Sequence, residues 1–409
     1  MSFLCQKQSY LKKCNTAIVS CTPANFQIDK KDKKLLDGFE VVLEDTILFP
    51  EGGGQPSDIG KINGARVFKV WRNGSKAIHF VTDKQIAGQT VEVEVDWQRR
   101  FDHMQQHSGQ HLVTAIAERL YSWPTTSWNL GEKVSTIELN TPKVTDDELF
   151  HIESVVNEQI RNSIPVNVHV LEPETDEMKK IRTRGLPADH VGPVRVVEIE
   201  GIDSNMCCGT HVSNLSHLQS IKLLGLTKAK KGKSNIVFVA GDRLLKYLGT
   251  SYQTEKAVTN LLKCTHEEQI CAVEKLKKNV KDMNKTSSRL LKLAANMQAE
   301  IYLQRKEREP VFVKYEKEAN MEFLYMVAKA IGDKAQSMFL TGGDEKLSGV
   351  YLLTAPPAAI EVLAPKISEL LDGKGVLKNG LFQGKANKMA GKIEAEQVLK
   401  KYLKDHQLI

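Results

Sequence analysis

The chain has 409 residues, 41% of them hydrophobic and 26% charged, with a net charge of +7. That balance belongs to a globular protein too long for one ordinary core, so two or three domains are expected. No apolar run approaches the roughly 18 residues of a membrane span.

The first fifteen residues hold no apolar signal core and the first arginine is Arg66, so the cytosol is the expected compartment. Seven cysteines at no framework spacing do not describe a disulfide scaffold and leave Cys5, Cys14 and Cys21 as reduced thiols. The positive charge permits an anionic partner without naming one.

Residues 1–95 alternate short apolar runs with turn signals. Phe39–Leu43, Thr46–Phe49, Ala65–Val70 and Val91–Val95 read as strands, and Asn63-Gly64 and Asn73-Gly74 are hairpin pairs. The expectation is a small β-rich, barrel-like domain. Arg99–Tyr121 is the first strong helix, with Leu112, Ile116 and Leu120 at helical spacing. A strand over Val134–Leu139, a helix over Asp146–Ile160, an extended segment Pro165–Leu171 and a helix over Thr175–Arg184 follow. Pro193–Ile199, Ile221–Leu226 and Ile236–Ala240 complete the strands. Helices against a sheet without βαβ regularity predict an α+β domain over 96–241.

No proline stands between Pro193 and Pro310, and the helical pattern beyond Asp242 breaks only near Cys264, where Thr265 and Glu268 form a capping box. Val273, Leu276, Val280, Met283, Ser287, Leu290, Ala294, Met297 and Ile301 alternate spacings of three and four, a heptad seam. Residues 242–309 therefore read as a helical hairpin or a homodimer arm. Residues 310–409 read as a C-terminal α/β domain, with helices Glu322–Ile331, Pro357–Leu371 and Ala386–Leu403, strands Ser337–Leu340 and Val350–Thr354, and a glycine loop.

The sharpest chemical signal is His107-Ser-Gly-Gln-His111, two imidazoles one turn apart on one helix face. Cys207-Cys-Gly-Thr-His211 adds a thiolate and a third imidazole, a donor set suited to Zn²⁺. The ligand count leaves structural and catalytic zinc both open, although flanking glycines leave room for a substrate. Ser108 stands where the His-Glu-x-x-His proteases carry glutamate, which disfavours that chemistry. The segment from Thr46 to Asp58 contains Gly52-Gly53-Gly54-Gln55. Its glycines allow close backbone approach, and Gln55 offers both donors and an acceptor. No Gly-Lys-Ser/Thr follows, so it is not an ATP loop.

In this order and spacing the three segments resemble the editing half of alanyl-tRNA synthetase, and most closely the trans-acting alanyl-tRNA editing proteins. Met104–Leu112, Ser127–Gly131 and Val194–Val197 read like that family, and Lys374–Ala386 is similar to the synthetase's C-terminal domain. The similarity runs over nearly the whole chain, as in the long form of the editing protein.

The resemblance implies one Zn²⁺ per chain on His107, His111, Cys207 and His211. The family has glycine where this chain has Cys208, which leaves a one-residue slip of the sulfur ligand open. The implied reaction is hydrolysis of the ester of a mischarged tRNA, chiefly Ser-tRNA(Ala). Gln55 would sit among the catalytic residues. Thr46 would bond the serine hydroxyl, or else be a plain strand threonine. Gly53, Gly54, Lys374, Lys378, Lys385 and Lys388 would contact substrate or RNA, and the cluster Lys222, Lys228, Lys230, Lys231 and Lys233 would add to the basic surface. Nothing resembles an aminoacylation core.

Overall fold

The computed structural model describes residues 2–27, 35–82, 86–172, 193–229, 232–345 and 347–408. The chain divides into two compact units, Met1–Ala257 and Val258–Ile409.

The first unit opens with a one-turn helix α1 (Leu4–Lys7) and six strands: β1 (Lys13–Gln27), β2 (Leu35–Leu43), β3 (Gly60–Ile62), β4 (Ala65–Asn73), β5 (Lys76–Val81) and β6 (Thr90–Val95). They close into a barrel in the order β1-β2-β5-β4-β3-β6, sealed by β6 against β1. Asn63 and Gly64, with φ of 45° and 77°, turn β3 into β4 in the left-handed region such a tight hairpin needs. Val41, Ile62, Val67, Val70 and Val93 fill the interior. Each such side chain contributes about 1.5–3 kcal/mol by leaving water.

Thr46–Phe49, expected as a strand, is irregular chain instead. Its amides bond to side chains rather than to a neighbouring strand: Leu48 N donates to Thr46 Oγ1 at 3.0 Å and Phe49 N to Asp58 Oδ2 at 2.7 Å. Asp58 is itself held by the buried Arg100, whose Nε donates at 2.9 Å.

Helix α2 (Trp97–Tyr121) starts on Asp96, which accepts from Arg99 N at 3.0 Å, and ends on Ser122 at φ 55°. It is buried continuously from His103 to Ala117, polar residues included. Strands β7 (Thr125–Leu130) and β8 (Ser135–Leu139), helix α3 (Asp146–Arg161), and strands β9 (Val166–Leu171), β10 (Val194–Ile199), β11 (Asp203–Met206), β12 (Ile221–Lys228) and β13 (Ser234–Ala240) follow. They form a three-stranded sheet β11-β10-β9 and a four-stranded sheet β12-β13-β8-β7, both antiparallel. Met104, Leu112 and Ile116 of α2 share one core with Ile152 and Val156 of α3 and with both sheets. The mixed α+β character is as expected. The helix read over Thr175–Arg184, with Lys230 and Lys231, lies outside the described residues.

Helix α4 (Asp242–Leu262) crosses the division between units. In the second unit, α5 (Gln269–Leu303) follows a break at which Thr265 makes half of the expected box: its amide and hydroxyl both donate to Glu268 Oε2 at 3.0 Å. The heptad stripe is exposed along α5, from Val273 at 43% to Met283 at 71%. A neighbouring stripe, Leu291, Ala295, Ala299 and Tyr302, does the packing.

Beyond it lie β14 (Val311–Glu316), α6 (Met321–Ile331), β15 (Ser337–Gly343), β16 (Gly349–Thr354), α7 (Pro357–Leu370), β17 (Gly373–Lys378), β18 (Leu381–Ala386) and α8 (Lys392–Asp405). The sheet order is β14-β15-β16-β18-β17, with β14 parallel to β15 and the rest antiparallel. The glycine loop is therefore a hairpin, turning at Asn379-Gly380 with φ of 52° and 77°. Because residues 381–386 pair in β18, the last helix begins at Lys392 and not at Ala386. Among the described residues no helix is long and apolar enough to cross a membrane.

Candidate metal centre

His107, His111, Cys207 and His211 converge: one donor atom from each lies within 4.8 Å of all the others. The helical spacing of α2 supplies the first two, and the turn after β11 supplies the others. Cys207 Sγ stands 3.4 Å from His107 Nε2 and 3.2 Å from His211 Nε2. Metal–nitrogen bonds of about 2.0 Å and metal–sulfur bonds of about 2.3 Å at tetrahedral angles give a nitrogen–sulfur edge of roughly 3.5 Å. The two nitrogen–sulfur edges are close to that, and the chemistry of the donor set suits one ion.

The imidazole protons are placed by neighbours. Thr210 N–H can only donate, and it reaches Gln55 Oε1 at 3.0 Å, while Gln55 Nε2 donates to Thr210 Oγ1 at 2.8 Å. The carboxamide oxygen therefore also faces His107 Nδ1, 2.9 Å away, and that nitrogen carries the proton. Nε2 is left with its lone pair towards Cys207 Sγ. Ser108 holds the ring of His211: its Oγ accepts from Val212 N at 3.0 Å and stands 3.1 Å from His211 Nδ1. Such outer partners fix ring orientation in metal sites.

Burial, then the charges of His107, His111 and Arg195, hold His211 well below the usual imidazole range, so it stays in the neutral, metal-binding form. Gly209 N–H donates to Cys207 Sγ at 3.4 Å. A Cβ at Gly209 would stand 2.2 Å from His107 Cε1, which is why only glycine fits between the turn and the ring.

Three of the four, His107, His111 and Cys207, line a cavity of about 340 Å³, a size suited to a small ligand. The stripe His107, Gln110, His111, Thr114 and Glu118 of α2 lines it, opposite Thr125 and Trp128 of β7 and Asn205 to Cys208. Trp128 lies with its ring centroid 4.6 Å from that of His107, and its Nε1 donates to Gly53 O at 3.1 Å. Gly53 borders the cavity. Gly54, at φ 84°, makes room for Trp128, whose Nε1 would be 2.7 Å from a Cβ there.

The other expected site residues are placed as follows. Gln55 is 1% exposed, with its amide engaged by His107 and Thr210. Thr46 does not border the cavity. Its hydroxyl meets His79 Nε2 at 2.9 Å and accepts from Leu48 N. Cys208 borders the cavity, with Sγ 3.0 Å from where a Cβ of Gly53 would be. Lys374, Lys378, Lys385 and Lys388 are exposed in the second unit. Lys374 pairs across the hairpin with Lys385. Gly375 of that hairpin accommodates the Phe382 ring, 2.5 Å from a Cβ position, and Gly384 the Tyr351 ring, 2.4 Å from one, rather than opening backbone to a ligand. Lys222 and Lys233 are paired with Glu153 and Glu138.

Sequence reading did not single out Ser108 as a partner of His211, or Gln110, Thr114 and Glu118 as cavity walls. The helical spacing from His107 through His111 to Glu118 was the available signal for the latter.

Residues 194–236, which carry Cys207 and His211, match the family model described as "Threonyl and Alanyl tRNA synthetase second additional domain". The chain is 50% identical over 404 residues to the alanyl-tRNA editing protein Aarsd1-A of Xenopus laevis, covering 98% of both. Over 405 residues it is 50% identical to the alanyl-tRNA editing protein Aarsd1 of Mus musculus, again covering 98% of each. The alanyl-tRNA editing protein AlaX-M of Methanosarcina barkeri is 32% identical over 217 residues, 50% of this chain and 88% of that relative. The chain belongs to the family of alanyl-tRNA editing proteins.

Proposed function

We propose that this protein is a trans-editing hydrolase that deacylates mischarged tRNA, chiefly Ser-tRNA(Ala), with one zinc ion held by His107, His111, Cys207 and His211. The supporting observation is the convergence of three imidazoles and one thiolate, three of the four lining a cavity, with two nitrogen–sulfur spacings close to those around one tetrahedral ion. Zinc bound there would polarise the ester carbonyl or acidify a water.

The protein's own residues hold the acceptor end. Trp128 shields the cluster from solvent, Gln55 and Ser108 orient two ligands, and the stripe along α2 lines the space for the aminoacyl group. Since Thr46 spends its hydroxyl on His79 and Leu48, we assign recognition of the serine hydroxyl to Gln110. Its Nε2 is fixed on Thr114 Oγ1 at 2.8 Å, leaving the carbonyl oxygen to accept. An acceptor left unpaired by alanine disfavours the correctly charged tRNA.

In this reading the barrel (1–95) and the editing domain (96–241) work on the ester, while the helical segment (242–309) and the C-terminal domain (310–409) hold the tRNA body in the cytoplasm. Lys374 directly opposite Lys385 is a like-charge pair that weakens the hairpin by itself. A phosphate on that face would relieve it. The test is deacylation of Ser-tRNA(Ala) and Ala-tRNA(Ala) by the full chain before chelation, after it, and after zinc is restored. Serine-selective hydrolysis that disappears and returns with the metal supports the proposal. Binding of tRNA without turnover would leave a zinc-stabilised tRNA-binding protein instead.

A further inference from the structure

Two adjacent cysteines are available to a site that takes one sulfur. Neighbouring side chains on an extended backbone point to opposite sides, so turning this stretch of chain about its own axis would exchange their places. Cys207 faces the histidines and Cys208 faces Gly53.

That stretch is gripped from outside the cluster. Arg195 Nη1 donates to the Cys207 carbonyl at 2.6 Å, and Cys207 N–H donates back to the Arg195 carbonyl at 3.2 Å. Gln6 Nε2 donates to the Cys208 carbonyl at 2.6 Å. The two holders are joined, since Arg195 Nε donates to Gln6 O at 3.2 Å, and Gln6 Oε1 in turn accepts from Phe3 N at 2.7 Å. Gln6 is 4% exposed and Arg195 9%.

A buried guanidinium ordinarily forks onto a carboxylate. Among the described residues Arg195 donates to main-chain carbonyls instead, its Nη2 has no partner, and the ionisable groups that feel its charge are Cys207, Cys208, Cys5 and His211. Its cation thus lies beside the two-cysteine turn.

We propose that Arg195 and Gln6 are the positioning pair that selects Cys207 over Cys208 as the sulfur ligand. This rests on reading the cluster as a metal site. With both carbonyls anchored, this stretch cannot turn without breaking two short, part-buried hydrogen bonds. With either anchor removed, Cys208 competes for the ion.

The test uses Co²⁺ in the full chain, reading sulfur-to-cobalt charge-transfer absorbance and affinity by chelator competition, neither of which depends on editing activity. In the parent background, Cys208→Ser keeps the absorbance and Cys207→Ser loses it. Arg195→Met and Gln6→Ala each lower affinity about 10–100-fold, the usual effect of losing an outer partner. In either background, adding Cys207→Ser now leaves absorbance supplied by Cys208. Gln6→Ala carries the test if Arg195→Met does not fold. Unchanged affinity in the anchor variants, or a Cys207→Ser change that abolishes the absorbance there as it does in the parent, overturns the proposal. A parent chain that binds no Co²⁺ overturns the metal reading itself.

Discussion

Replacing Gln55 by leucine should uncouple the candidate metal ligands from the barrel-side loop without touching any of the four. The side chain is 1% exposed and makes three bonds, accepting from His107 Nδ1 at 2.9 Å and Thr210 N at 3.0 Å and donating to Thr210 Oγ1 at 2.8 Å. Leucine has similar volume but leaves two buried donors unmatched. His107 is then free to rotate and to take the other tautomer. Loss of such an outer partner typically lowers metal affinity about 10–100-fold, or roughly 1.4–2.7 kcal/mol. Gln55→Glu keeps acceptors for both His107 and Thr210 N–H, and the threonine hydroxyl can rotate to donate, so it should hold affinity within a few-fold of the parent. The assay is competition for Zn²⁺ against a chromogenic chelator at constant pH, with circular dichroism to establish folding. A folded Gln55→Leu protein with parental affinity would refute the assignment of Gln55 as the holder of His107.

Gly209→Ala should also weaken zinc binding by more than about tenfold, because its Cβ would sit 2.2 Å from His107 Cε1 and 2.8 Å from Gln55 Oε1. Gly249→Ala, in open space on α4, should leave chelator competition unchanged. Burial depresses the pKa of His79 from 6.5 to about 4, a difference worth about 3 kcal/mol. This contribution is complete above pH 6.5 and is lost as pH falls towards 4, since the unfolded chain takes up the proton first. Urea midpoints at pH 7 and pH 4.5 should show that loss in the parent and a smaller one in His79→Leu. If Lys374 and Lys385 contact phosphate, exchanging both for alanine should reduce the slope of log affinity for tRNA against log salt by about 1 per contact. An unchanged slope removes the hairpin from the RNA surface. Gln110→Leu should depress deacylation of Ser-tRNA(Ala) more than that of Ala-tRNA(Ala), and equal losses would count against its role in recognition.

The parts of this molecule that were legible in the sequence are those encoded by short spacing. Two histidines four apart on α2, a cysteine and histidine four apart in a turn, and Asn-Gly hairpins in the barrel each carry their geometry locally. The groups that hold the ligands are not local. Ser108 lies 103 residues from His211, Gln55 155 from Thr210, and Gln6 202 from Cys208. No periodicity announces such a bond, and a lone glutamine or serine reads as surface polarity until the fold brings its partner. Thr46 shows the converse error. Its neighbours Ile47, Leu48 and Phe49 read as a strand, but the amides of Leu48 and Phe49 are satisfied by the threonine hydroxyl and by Asp58, a side-chain arrangement that hydrophobic patterning does not see.

Helix α5 separates pattern from packing in another way. A heptad seam is a statement about which residues share a face, not about whether that face is buried. The residues that pack, Leu291, Ala295, Ala299 and Tyr302, follow the straight-helix spacings of four, four and three beside the seam. Two alanines in that stripe let α6 approach closely, and its Phe323 and Val327 fill the contact together with Phe312. Small residues were thus the sign of the buried face. The larger Leu290, Met297 and Ile301, which dominated the sequence reading, stand exposed. On an amphipathic helix of this kind, side-chain size alone misleads. The face next to a folded domain is chosen by how near the partner backbone must come, and on α5 that distance favoured alanine over leucine.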